Sequence, residues 1–153
     1  MKKIFILFLL IIASCGYQPI YKIDQNIDSL KIKEINLTGD KTLSEKISKG
    51  LSLKIIKNDV TLNKLKIDSQ INIAETSKNS KGQVTSYRTT ILTVISIIDN
   101  DNNLVRKKNV SKQFSYNVLT NKFKLKQYQE EIENNLINQI IRDIKIFLNF
   151  KWL

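Results

Sequence analysis

Fifteen consecutive residues, Val84–Ile98, are drawn almost wholly from Thr, Ile, Val, Ser and Tyr. That many β-branched side chains lose rotamer freedom in a helix and sit easily on a pleated surface, so the run reads as one long strand. Ile91, Ile95 and Ile97 fall on one parity, while Leu92, Val94 and Ile98 fall on the other, which makes the strand apolar on both faces. Such a strand needs neighbours on both sides and a packed layer on at least one face. Its second stripe is either a few exposed aliphatics of a central strand or a surface that docks another protein.

The flanking sequence supplies the rest of that architecture. Residues 30–38 are strand-like, with a slip in alternation between Ile32 and Ile35 that reads as a bulge. From 43 to 57, Leu43, Ile47, Leu51 and Ile55 recur every four residues as the stripe of an amphipathic helix, with Asp40 or Thr42 as its cap. Leu65, Ile67, Ile71 and Ile73 form one face of a half-buried strand, and residues 75–83 have the composition of a loop. A hairpin turn at 99–103, rich in Asn and Asp, leads to a last strand over 104–117. A final helix over 122–150 carries Leu125, Tyr128, Ile132, Leu136, Ile140, Ile144 and Phe147 on one side. Its glutamates fall early and Arg142, Lys145 and Lys151 late, as the helix dipole favours. The expected fold is α+β, a two-layer sandwich in the order β-α-β-β-β-α, with a four-stranded mixed sheet and two helices on one face. It occupies residues 30–153 as a single domain.

Composition removes most enzyme chemistry. The 153 residues contain no His, one Cys, one Pro and four Gly, so there is no zinc cluster, disulfide framework, imidazole base or Gly-rich phosphate cradle to propose. No catalytic residues, metal ligands or cofactor are expected. The 25 Lys+Arg against 14 Asp+Glu give a formal net charge of +11, which points to an anionic partner. Only Arg88, Arg106 and Arg142 are arginines. The abundance of Lys, Ile and Asn is also what AT-rich codons favour, and an exposed lysine is usually a solvated face.

At the N-terminus, Lys2 and Lys3 precede nine apolar residues, 4–12, and then Ala13, Ser14, Cys15 and Gly16. Nine helical residues rise about 13 Å, less than half of a hydrocarbon core about 30 Å thick. A charged start, a short apolar run and small residues before a cut site are the pattern of a secretory signal peptide over 1–14. Ile12, Ala13, Ser14 and Cys15 resemble the bacterial lipobox, with Ile in place of its usual Leu. That resemblance implies cleavage before Cys15, a diacylglyceryl group on its sulfur and an acyl chain on its amine. Three chains, at about 0.8 kcal/mol per buried CH₂, hold a protein on a membrane far better than one. Gly16 rather than Asp after the cysteine implies the outer membrane, on its periplasmic side. Cleavage would leave 139 residues and, without Lys2 and Lys3, a charge of +9. Residues 15–29 read as a lipidated extended tether.

Cys15-Gly16-Tyr17-Gln18-Pro19-Ile20-Tyr21, together with the element order, resembles the LPS-assembly lipoprotein LptE family. The resemblance implies a non-enzymatic component that forms a complex with the LptD β-barrel translocon, assists its assembly and binds lipopolysaccharide. The expected lipid contacts are Lys78 and Lys81 in the loop after the second strand, Arg88 in the third, and Arg106, Lys107 and Lys108 at the start of the fourth. Arg88 and Arg106 rank first because a guanidinium binds phosphate bidentately. The two groups are expected at opposite ends of the sheet, the 99–103 turn lying at the tether's end. Charges that protect strand edges are the alternative for each. An accessory of general β-barrel assembly or a lipoprotein carrier receptor is the competing function. No nucleic-acid partner is expected, since aromatic residues interleave the charges only at Tyr87 and Tyr116.

Overall fold

A computed structural model of the chain describes residues 31–59 and 61–149. The expected signal peptide over 1–14, the lipobox residues Ile12, Ala13, Ser14 and Cys15, and the tether at 15–29 lie outside the described residues. The elements are β1 (Lys31–Ile32), β2 (Glu34–Gly39), α1 (Lys41–Leu51), β3 (Lys54–Ile55), β4 (Lys64–Lys78), β5 (Val84–Ile98), β6 (Leu104–Asn117) and α2 (Lys122–Asn149). Four of them form a mixed sheet in the order β2-β4-β5-β6, with β2 parallel to β4 and the other pairs antiparallel. The fold is the expected α+β arrangement of a four-stranded sheet and two helices. β5 lies inside the sheet, as its two apolar parities require.

Odd residues of β4 and β5 and even residues of β6 share the face under the helices. Leu65, Ile67, Ile91, Ile95 and Val110 are buried there. Above them, Leu43, Ile47 and Leu51 of α1 meet Ile132, Leu136, Ile137, Ile140, Ile141 and Ile144 of α2. The two helices approach closely at Gly50, where a Cβ would run into the side chain of Ile141. A buried Ser69 hydroxyl lies 3.2 Å from the Thr93 hydroxyl in the middle of this apolar floor, so each polar group has a partner.

Several boundaries differ from expectation. The slip at residues 32–35 is a change of partner, not a bulge: β1 pairs in parallel with β3, while β2 pairs with β4. α1 stops at Leu51 instead of continuing to 57, because Ser52 takes a left-handed conformation (φ 55°) and its N–H bonds to Lys49 O at 3.2 Å. Ile55, the fourth residue of the expected stripe, therefore lies on β3, 48% exposed. β4 runs on through residues expected to be loop, with register shifts at Glu75/Ser77 and Ser77/Lys78. The loop shortens accordingly, and Lys78 is the last residue of a strand. At the other helix, the first turn of α2 holds no acidic residue and its last turn no basic one, so the early glutamates and Arg142 and Lys145 stand inside the helix, while Lys151 lies outside the described residues.

The helices differ in reach. α2, at about 1.5 Å per residue, extends about 42 Å and follows the whole sheet, whereas α1 extends only about 16 Å. The sheet thus has a proximal end, with Lys31, the 99–103 turn and the end of α2, and a distal end, with the 79–83 turn and the start of α2. The proximal end is the one expected for the tether. Beyond α1, Ile73 on the helix face is 50% exposed.

Candidate functional site

The distal end is assembled by three segments whose local chemistry holds them in place. In the 79–83 turn, Asn79 Oδ1 accepts from the N–H groups of Lys81 and Gln83, both at 3.0 Å, and Asn79 Nδ2 donates to Gln83 Oε1 at 2.9 Å. Gly82 supplies the positive φ, 76°, that closes the turn. Lys81 projects from this tip and is exposed. Arg88 lies on the helix-free face of β5, exposed, where its Nε donates to Ser115 Oγ of β6 at 3.1 Å. Lys78 is held by Glu75 at 3.0 Å, so one of the expected cations is already paired.

The third segment is the start of α2. Asn121 Oδ1 accepts from the N–H groups of Phe123 and Lys124 at 3.0 and 3.1 Å and thereby caps the helix. Lys122, Lys124 and Lys126 then crowd the positive end of its dipole, with Phe123 beside them 70% exposed and Leu119 40% exposed. The sequence reading passed over these lysines. Their signal was legible: a Lys-x-Lys-x-Lys start runs against the usual charge order of a helix. Beneath them Tyr116 is 5% exposed, its ring centroid 6.0 Å from that of Tyr87 and 5.9 Å from that of Tyr128. Gln129 Nε2 donates to the Tyr116 hydroxyl at 2.9 Å, which fixes the first turns of α2 on the sheet.

Arg106, Lys107 and Lys108 do not join this group. Arg106 pairs with Ile97, nine residues along β5 from Arg88, about 30 Å away at strand spacing. Its guanidinium lies 4.2 Å from the centre of the Phe147 ring, a cation–π contact at the proximal end. Lys107 and Lys108 are exposed on opposite faces of β6. The six expected contacts thus fall into two groups, as their chain order implied.

The remaining surfaces are simpler. On the helix-free face, Leu92 is 39% exposed and Val94 and Ile98 are half-buried, a narrow stripe that meets Leu104 of β6 beside Ile98 and otherwise runs between polar residues of β4 and β6. Between α2 and β6 lies a groove of about 360 Å³, lined by Phe114, Tyr128, Ile132, Leu136 and Arg142 among others. No helix among the described residues is long and apolar enough to cross a membrane. What the distal end offers is guanidinium, ammonium and exposed apolar groups on a rigid hairpin and a helix start, a surface suited to an anionic amphiphile.

A two-layer sandwich of this kind is shared with solved bacterial proteins. The chain is similar to rare lipoprotein B from Shewanella oneidensis, with a TM-score of 0.53 and 12% identity over 72% of this chain and 92% of that one. A minor lipoprotein from Acinetobacter baumannii is similar with a TM-score of 0.56 and 16% identity, covering 76% and 90%. A homologue of neuraminyllactose-binding hemagglutinin from Helicobacter pylori has a TM-score of 0.56 and 12% identity, covering 88% and 90%. At these identities the likeness establishes the fold. No protein-family model and no curated protein matches the sequence.

Proposed function

We propose that this chain is a non-catalytic outer-membrane lipoprotein, acylated at Cys15 and facing the periplasm, that forms a complex with an LptD-type β-barrel and binds lipopolysaccharide. The observation that carries the reading is a lipobox-like Ile12-Ala13-Ser14-Cys15 placed directly ahead of a fold that solved lipoproteins also have. The Cys15–Tyr21 pattern supports the barrel partner. The distal cations and apolar groups support the lipid ligand, with Arg88 and Lys81 leading and Lys122 and Lys124 at the same end of the sheet. A guanidinium reaches a lipid phosphate while Phe123 and Leu119 lie against acyl chains.

Two experiments test it. Cys15→Ala abolishes acyl labelling and membrane retention; a labelled, membrane-bound mutant would refute the anchor. A pull-down from detergent-solubilised outer membrane returns a single large barrel of the LptD kind. Recovery of a multi-protein barrel-assembly complex instead would replace the proposed partner with the competing function.

A further inference from the structure

Lys31, the first described residue, lies at the proximal end, so the preceding part of the chain joins the fold there. Four large apolar side chains are exposed at that end: Ile55 at 48%, Leu104 at 58%, Val105 at 50% and Ile146 at 37%. None belongs to the core cluster, so packing of the fold does not account for them. Around them Lys54, Lys57, Lys107 and Lys108 are exposed, and none forms an ion pair with a described residue. Among the described residues, Glu34, Asp59, Asp99 and Asp101 are the carboxylates at the same end, fewer than its lysines, and two of them are engaged by their own turns. Asp59 accepts from the Thr61 hydroxyl at 2.6 Å and the Thr61 N–H at 2.9 Å. Asp99 accepts from the Asn103 N–H at 2.8 Å. Apolar side chains among unpaired ammonium groups, at the end where the N-terminal segment enters, have the chemistry of a surface that lies on anionic headgroups.

We propose that the proximal end seats on a bilayer containing anionic glycerophospholipid. Ile55, Leu104, Val105 and Ile146 enter the headgroup layer, and Lys54, Lys57, Lys107 and Lys108 lie over lipid phosphates. The seat needs neither the barrel nor lipopolysaccharide. It draws on the proposed anchor in one respect: Cys15, within about 55 Å of extended chain from Lys31, delivers this same end to the membrane.

The test uses the Cys15→Ser chain, which contains no other cysteine. A single cysteine, Leu104→Cys or Phe123→Cys, carries an environment-sensitive fluorophore, and the protein is mixed with phosphatidylcholine vesicles with or without phosphatidylglycerol. The expected result is a blue shift at position 104 that depends on phosphatidylglycerol and is lost near 1 M salt, where the Debye length is about 3 Å, with a smaller shift at 123. Lys54→Gln, Lys57→Gln, Lys107→Gln and Lys108→Gln each lower vesicle affinity by about fivefold. A shift at 123 equal to or larger than that at 104, a shift independent of phosphatidylglycerol, no shift at all, or indifference to all four substitutions overturns the proposal. The four lysine substitutions separate the seat from insertion by the apolar residues 4–12, since none of them alters that segment. Because this protein carries no acyl chain, the result stands apart from whether Cys15 is acylated in the cell.

Discussion

Gly39 holds a φ of +73° where β2 leaves the sheet, and a Cβ there would run into the backbone oxygen of Ser69 and the carboxylate of Asp68. Gly82 has a similar φ of +76° but faces open space. The left-handed region costs an L residue about 1–2 kcal/mol, and only Gly39 adds a collision with backbone. Gly39→Ala therefore lowers stability by more than about 2 kcal/mol and Gly82→Ala by about 1 kcal/mol, measured as a lower urea midpoint at unchanged slope. Asp59 is a quieter case. The Thr61 hydroxyl, then the Thr61 N–H, hold its carboxyl below the usual aspartate range. A depressed folded pKa contributes stability above the unfolded pKa of about 3.9, and that contribution is lost as pH falls through the folded value. Thr61→Ala moves the Asp59 midpoint upward without restoring the ordinary value, since the N–H remains; an NMR titration of the carboxyl carbon measures it. Both glycines and the Asp59-x-Thr61 spacing are legible as turn chemistry. That Gly39 would collide with Ser69 is not, because the contact joins residues thirty apart.

At the scale of elements, α2 shows a local preference overruled by packing. It begins with three lysines at the positive end of its dipole and ends without a basic residue in its last turn. It is held instead by Ile132, Leu136, Ile137, Ile140, Ile141, Ile144 and Leu148, all buried. Lys122→Glu and Lys124→Glu are each expected to stabilise the helix by about 0.3–1 kcal/mol, seen as a higher melting temperature. If these lysines meet lipopolysaccharide, the same substitutions weaken its retention. A melt that rises with binding unchanged would remove them from the site. The helix itself was legible because its stripe persists for seven contacts. The end of α1 was not: Ile55 keeps the four-residue period, but Ser52 turns the chain and Lys54–Ile55 gains a ladder with β1. Periodicity records which residues are apolar, not which backbone partner waits for them.

Across the whole molecule the cations divide between two ends. Lys81→Ala with Arg88→Ala should lower lipopolysaccharide binding several-fold, measured by retention on immobilised lipopolysaccharide. The triple change at Arg106, Lys107 and Lys108 to Ala should leave that binding nearly intact while costing about 0.5–1 kcal/mol of stability through the lost contact with Phe147. The reverse result would move the ligand to the proximal end and displace the proposed bilayer seat. By itself the sequence determined the four strands of the main sheet, the two helices, their order, the absence of imidazole chemistry and the cysteine on which an anchor would depend. These follow from side-chain type and from periods of two to four residues, which are local properties. Only the tertiary structure decided that Lys122 and Lys124 come to the same end of the sheet as Lys81 and Arg88, that Arg106 stacks on Phe147, and that Ile55, Leu104 and Ile146 emerge at one end. Each of those neighbourhoods joins residues tens of positions apart, and they form because β4, β5 and β6 pair in one register and α2 runs back along them to bury its isoleucines.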